Sequence, residues 1–193
     1  MHIEGFKQWS RNVPSKKMVE WLDAHHMGPY VFTFLSIVGK FAAIVLFMMG
    51  HPVLGGWVVV VEYLFDGMDG RMARVLGRSN SFGAFVDLFS DRLFRSFYLP
   101  ALAFGGVIGW EWAAAGLVLD IAYATLSDFV RDHKDIQVPN WGFDSWRVVA
   151  FGAPIGLIQL AVFVKIVVGA PLLLTQVAYI VIVNRRMAAA RKK

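Results

Sequence analysis

Asp66-Gly67-Met68-Asp69-Gly70-Arg71-Met72-Ala73-Arg74, separated by eight residues from Gly83-Ala84-Phe85-Val86-Asp87-Leu88-Phe89-Ser90-Asp91, puts four carboxylates into an otherwise apolar chain. In helical register Asp66 and Asp69 share one face of one helix, and Asp87 and Asp91 share one face of the next. Two helices joined by one loop can therefore aim four acids at a single point. Carboxylates at membrane depth are costly unless a partner, a cation or a water-filled cavity accompanies them, so the placement calls for a chemical reason.

The surrounding sequence sets that depth. Of 193 residues 57% are hydrophobic and 17% are charged, which is too apolar for an ordinary soluble domain. Apolar stretches run from Val31 to Met49, Val53 to Phe65, Phe82 to Gly106, Trp110 to Phe129, Val148 to Val164 and Val167 to Val183. Each is long enough, or nearly so, to cross a hydrocarbon core of about 30 Å. The chain reads as an all-α integral membrane protein with six transmembrane helices. The second helix reaches full length by continuing through polar turns to about Arg74, and the third begins with a polar half, so the carboxylates sit on two polar half-helices joined by one loop. Pro100 and Pro154 are placed to kink the third and fifth helices.

Basic residues orient the chain, because Lys and Arg accumulate on the cytoplasmic side of short loops. Lys7, Arg11, Lys16 and Lys17 precede the first span, and Arg71, Arg74 and Arg78 lie between the second and third. Arg131, Lys134 and Arg147 bracket the fourth-to-fifth connection, and Arg185, Arg186, Arg191, Lys192 and Lys193 close the chain. The alternate connections, Gly50 to Pro52, Val107 to Gly109 and a turn near Lys165, are poor in basic residues. This predicts a multi-pass protein of the cell (inner) membrane with both termini and the carboxylates on the cytoplasmic side. Trp110, Trp112, Trp141 and Trp146 fit interfacial belts. Between Ser15 and Met27, Met18, Trp21, Leu22 and Ala24 fall on one side of a helix and Lys16, Lys17, Glu20 and Asp23 on others. That is the pattern of an N-terminal amphipathic interfacial helix, or of a plain connector. The first thirty residues do not resemble a cleavable signal peptide. The net charge of +5 reads as topology and attraction to anionic lipid rather than nucleic-acid binding. The absence of cysteine excludes disulfides and thiolate metal sites.

Four acids gathered in a low-dielectric cavity repel one another, and protonation or cation binding relieves that. All-oxygen ligands favour Mg2+, with Mn2+ or Ca2+ as substitutes, and this many carboxylates suits two ions. Gly70, Ala73 and Gly83 leave room for a ligand or backbone to approach, and Arg74 offers a fork of donors to a phosphate. Together they describe a cradle for a metal-bound diphosphate. Singly, small residues are packing devices and an arginine at a helix end is a topology anchor; the combination sets this stretch apart. A divalent-cation transporter or sensor is the competing class, although transporters place their acids nearer the midplane on broken helices.

The pattern Asp-x2-Asp-Gly-x2-Ala-Arg-x8-Gly-x3-Asp-x3-Asp, here Asp66, Asp69, Gly70, Ala73, Arg74, Gly83, Asp87 and Asp91, resembles the signature of the CDP-alcohol phosphotransferases at every fixed position. The resemblance implies six membrane helices, a homodimer, and Mg2+-dependent (or Mn2+-dependent) transfer with two ions. The group moved would be of phosphatidyl type, passing from a CDP-linked lipid, CDP-diacylglycerol, to the hydroxyl of a small polar acceptor with release of CMP. By resemblance Asp66, Asp69 and Asp87 bind metal, and Asp91 completes the metal site and acts as general base. Gly70, Ala73, Arg74 and Gly83 then meet the CDP moiety, with Asn80 or Ser81 near it. Pro29 and Thr33 also fit a family pattern ahead of the first span, where Tyr30 replaces a polar residue. One branch of the family instead transfers from CDP-choline or CDP-ethanolamine to diacylglycerol.

On this reading residues 1–30 form a cytoplasmic segment with the interfacial helix, 31–184 a six-helix transmembrane catalytic domain, and 185–193 a basic cytoplasmic tail. Arg131, Arg147 and Arg185 could converge on a phosphorylated acceptor such as glycerol 3-phosphate or an inositol phosphate. The Arg-Pro-Glu-Arg segment of relatives that make phosphatidylinositol phosphate is replaced by Phe143-Asp144-Ser145-Trp146-Arg147, and each arginine singly also reads as an anchor. Lys40 and Asp120, both mid-span, suit a buried Lys–Asp pair or access to the cavity, and Glu62 is placed to support the metal site from behind.

Overall fold

Prolines and glycines punctuate the chain. In a computed structural model, which describes residues 15–132 and 145–190, every element is helical: α1 Lys16–Ala24, α2 Pro29–Met48, α3 Pro52–Val75, α4 Ser81–Phe104, α5 Trp110–Asp132, α6 Ser145–Gly152 and α7 Ile158–Ala190. Pro29 and Pro52 each occupy a first helical position, where the missing N–H costs nothing. α3 ends at Gly77, whose φ of +64° lets Arg78 N–H reach back to Ala73 O at 2.9 Å and Gly77 N–H to Arg74 O at 3.3 Å. That closure satisfies carbonyls the helix end would otherwise leave open, in a conformation only glycine adopts freely. It turns the chain into α4 within a few residues, which is what brings the two acidic half-helices side by side.

Among the described residues three helical stretches are long and apolar enough to cross a membrane: Pro29–Met48, Trp110–Val130 and Ile158–Arg185. Large apolar side chains stand exposed along them, among them Phe34, Phe41, Val118, Ile121 and Leu174, as lipid-facing surfaces require. The chain is an integral membrane protein. α3 and α4, at 24 residues each, match a crossing in length but carry the acidic residues. The C-terminal part departs from the sequence reading. No turn occurs near Lys165; α7 is one 33-residue helix running through it. The break falls earlier, at Ala153–Gly156, where Pro154 ends a short α6 instead of kinking a long helix and Gly156 adopts a φ of +78°. Pro100 does lie within its helix, α4.

The chain divides into two compact units, residues 1–42 with 58–93 and residues 43–57 with 94–193. In the first, Val19 and Leu22 of α1 are buried with Phe32 and Met72, and Phe65, Met68, Val75 and Leu76 pack around them. The buried face of α1 is thus Val19 with Leu22, one turn of helix pressed on Met72. Met18 and Trp21 are exposed. Ser15 caps α1, its hydroxyl accepting from Met18 N–H at 3.3 Å. The Arg78 guanidinium forks onto Asp23 at 2.6 and 3.1 Å, fixing the end of α1 to the α3–α4 turn.

In the second unit, Lys165 of α7 is fully buried. Its Nζ donates to Asp120 Oδ2 and to Tyr98 Oη, each at 2.5 Å, and the Tyr98 hydroxyl also lies 3.1 Å from Asp120 Oδ2. Gly116 leaves room beside them for Leu99, whose Cδ1 would lie 2.6 Å from a Cβ there. Asp120 is therefore the partner of Lys165 and not of Lys40. A buried ion pair broken on one side leaves an uncompensated charge. Lys165→Met is expected to cost about 3–5 kcal/mol of stability, read as a lower thermal midpoint in detergent, and Lys165→Met with Asp120→Leu to recover most of it.

Candidate active site

α3 carries Glu62, Asp66 and Asp69 on successive turns, and α4 carries Asp87 and Asp91 one turn apart. The fold brings carboxylate oxygens of Asp66, Asp87 and Asp91 within 4.8 Å of one another. Asp66 and Asp91 are half-buried and Asp87 is exposed, so the group opens outward at Asp87. Asp69, the fourth acid of the motif, stands outside that group and is buried, facing Thr33 of α2.

A lysine sits among these acids. Lys40 of α2 is 5% exposed, and its Nζ lies 2.7 Å from Asp91 Oδ1, 3.2 Å from Asp66 Oδ1 and 3.2 Å from Glu62 Oε1. It also donates to Ser90 Oγ at 3.3 Å. Glu62 lies deepest, 2% exposed, and accepts from the Ser36 hydroxyl at 2.8 Å. Gly39 eases this meeting: a Cβ at that position would stand 3.0 Å from Glu62 Cβ, a contact tight enough that the Glu62 side chain would have to give way slightly. Mid-span placement flagged Lys40 as needing a partner. Which acids it meets depends on the rotation of α2 against α3, set by Gly39 and Ser36, which no helical pattern in α2 alone discloses.

The residues expected to meet a nucleotide lie along the same two helices. Arg74 is exposed and folds back over Gly70, where a Cβ would come 3.3 Å from its Nη1. Ala73 is half-buried in α3. Asn80 holds the backbone together here, since its Oδ1 accepts from Gly83 N–H at 2.6 Å, capping the start of α4, while its Nδ2 donates to Tyr30 Oη at 2.9 Å. Ser81 is the exposed first residue of α4. Of the three arginines assigned to an acceptor, Arg131 lies in α5, Arg147 in α6 and Arg185, exposed, in α7. Side-chain positions for Arg131 and Arg147, and Trp141 altogether, fall outside the described residues.

Seven carboxylate, hydroxyl and amine groups thus converge from three helices, and the donor set offered by the acids is all oxygen. Lys40 already shows that a cation can be lodged against Asp66 and Asp91. Hard divalent ions take such ligands, and the residues present fit Mg2+ or Mn2+.

Residues 26–189 match the CDP-alcohol phosphatidyltransferase family profile, and the chain belongs to that family. It is 28% identical over 98 residues to an archaetidylinositol phosphate synthase of Pyrococcus horikoshii, covering 51% of this chain and 52% of that protein. It is 35% identical over 104 residues to a phosphatidylinositol phosphate synthase of Cutibacterium acnes, covering 50% of each. A bifunctional IPC transferase and DIPP synthase of Aquifex aeolicus is 35% identical over 100 residues, 49% of this chain and 22% of that protein. The chain therefore spans about half the length of these curated relatives, or less. The fold is similar to that of Mycobacterium tuberculosis phosphatidylinositol phosphate synthase. With CDP-DAG bound, that structure gives a TM-score of 0.69 at 19% identity, covering 86% of this chain and 93% of that one. In complex with manganese and citrate it gives 0.67 at 20%, covering 86% and 88%.

Removing one ligand from such a cluster costs metal affinity at least as much as removing a supporting contact, about 10–100-fold. Asp87→Asn is expected to weaken Mn2+ binding by that much in a titration followed by Mn2+ EPR, while Asp23→Asn, on α1, leaves it unchanged.

Proposed function

We propose that this protein transfers a phosphatidyl-type group from a CDP-linked lipid, CDP-diacylglycerol, to the hydroxyl of a small phosphorylated polyol and releases CMP. The observation that supports this most is the trio Asp66, Asp87 and Asp91, gathered within 4.8 Å on the two helices that also carry Gly70, Arg74 and Gly83. Relatives named for inositol phosphate products favour an inositol phosphate acceptor over glycerol 3-phosphate.

Asp66, Asp69, Asp87 and Asp91 would hold Mg2+ or Mn2+, as two ions. When bound, the metal neutralises the diphosphate and stabilises the departing CMP. Asp91 takes the proton from the acceptor hydroxyl as that oxygen attacks the lipid-linked phosphorus and the bond to CMP breaks. Arg74 holds a phosphate of the donor, and Gly70, Ala73 and Gly83 keep the adjoining helix surfaces open to the cytidine end, with Asn80 and Ser81 at its edge. Arg131, Arg147 and Arg185 bind the phosphate of the acceptor. The enzyme works as a homodimer in the cell membrane with both termini and the active site cytoplasmic. The six-span arrangement is carried here from the family resemblance; α7 itself is one helix, Ile158–Ala190. Residues 1–30, 31–184 and 185–193 are then cytoplasmic segment, catalytic domain and tail.

Purified protein with Mg2+ is expected to release CMP from CDP-diacylglycerol with inositol 1-phosphate or glycerol 3-phosphate, and not with inositol or serine. Asp91→Asn should lower kcat by about 10²–10⁴-fold. Full activity in that variant would refute Asp91 as base, and turnover of CDP-choline with diacylglycerol instead would reassign the donor.

A further inference from the structure

Lys40 is unusual in this site because its ammonium already lies against two of the acids that converge there. Its Nζ touches Asp66 and Asp91, two of the three acids whose oxygens converge, at 3.2 and 2.7 Å. Two further contacts lie off that group: Glu62 at 3.2 Å, itself buried and held by Ser36, and Ser90 at 3.3 Å. The lysine therefore has anchors it can keep when the aspartates are engaged elsewhere. Unpaired, Asp66 and Asp91 would repel each other and Asp87 at close range in a medium of low dielectric.

We propose that Lys40 is a built-in counter-ion of the metal site. It holds Asp66 and Asp91 in place in the metal-free protein, competes with the divalent ion for them, and withdraws onto Glu62 and Ser90 when the ion binds. Lys40 is thus a positioning residue that sets metal affinity, touching neither donor nor acceptor. The inference rests on the aspartates being the metal ligands, as proposed above. Removing the ammonium leaves the ion without a competitor for Asp66 and Asp91, so binding tightens. Removing it also leaves the acids unbalanced, so the metal-free protein loses stability and regains it on adding metal.

The test is Mn2+ titration of the full chain in detergent, followed by EPR, together with thermal midpoints in EDTA and in Mn2+. Lys40→Met should bind Mn2+ at least about tenfold more tightly than the unaltered protein and show a larger rise in midpoint on adding Mn2+. Lys40→Met with Glu62→Gln has the same net charge as the unaltered protein and removes the buried Glu62 carboxylate together with its partner. It should keep most of the tightening if Lys40 acts by contact with Asp66 and Asp91. Unchanged or weaker Mn2+ binding in both variants overturns the proposal, as does a double variant that folds neither with nor without Mn2+, which would make Lys40 structural only. If the unaltered protein binds Mn2+ and Asp87→Asn abolishes that binding, yet Lys40→Met gains nothing, the lysine's role alone fails. If the unaltered protein binds no Mn2+ at these acids, the metal reading fails and takes the lysine proposal with it.

Discussion

Mutual repulsion among carboxylates held between two helices is the constraint on which the rest of the site depends. Left alone, Asp66, Asp87 and Asp91 would push α3 and α4 apart or draw water between them. The chain answers with a lysine from α2, and the packing that delivers it is specific: Gly39 presents no side chain to crowd Glu62, and Ser36 satisfies the carboxylate that anchors the lysine at its deepest point. Geometry that serves catalysis is thereby bound to the geometry that holds the unit together. The cluster proposed to accept a cation already meets one in Lys40.

The second unit uses the same device for a different end. Lys165, Asp120 and Tyr98 are mutual partners from α7, α5 and α4. A buried pair of this kind contributes little net stability over well-packed apolar residues, but it penalises any arrangement of the three helices that leaves one partner unmatched. Nearly featureless apolar helices have few other ways to fix their rotation, since lipid satisfies an apolar face as well as a neighbouring helix does.

Much of this was legible in the sequence. The spacing of Asp66, Asp69, Asp87 and Asp91 gave two acidic helix faces, the one loop joining them gave their adjacency, and composition gave the membrane. Three features were not legible, each because it depends on contacts between helices rather than periodicity within one. Lys40 meets Glu62, Asp66 and Asp91 instead of Asp120, through the rotation that Gly39 permits. Lys165 lies inside a helix instead of at a turn, because Asp120 and Tyr98 make a buried ammonium tolerable in the middle of α7. On α1, Val19 joins Leu22 in the interior beside Phe32 and Met72, a contact that the helix's own pattern does not disclose. Asn80 shows the converse: a residue read for a ligand also caps the helix that carries Asp87 and Asp91.

Everything proposed for the chemistry requires that a divalent cation bind where Asp66, Asp87 and Asp91 converge. Diffraction from crystals grown with Mn2+, recorded at the manganese absorption edge, measures this directly. The expected result is an anomalous peak within coordinating distance of those three carboxylates, with Lys40 Nζ drawn away from Asp91 toward Glu62. A peak bound elsewhere, or none while Lys40 keeps its contacts to Asp66 and Asp91, would contradict it.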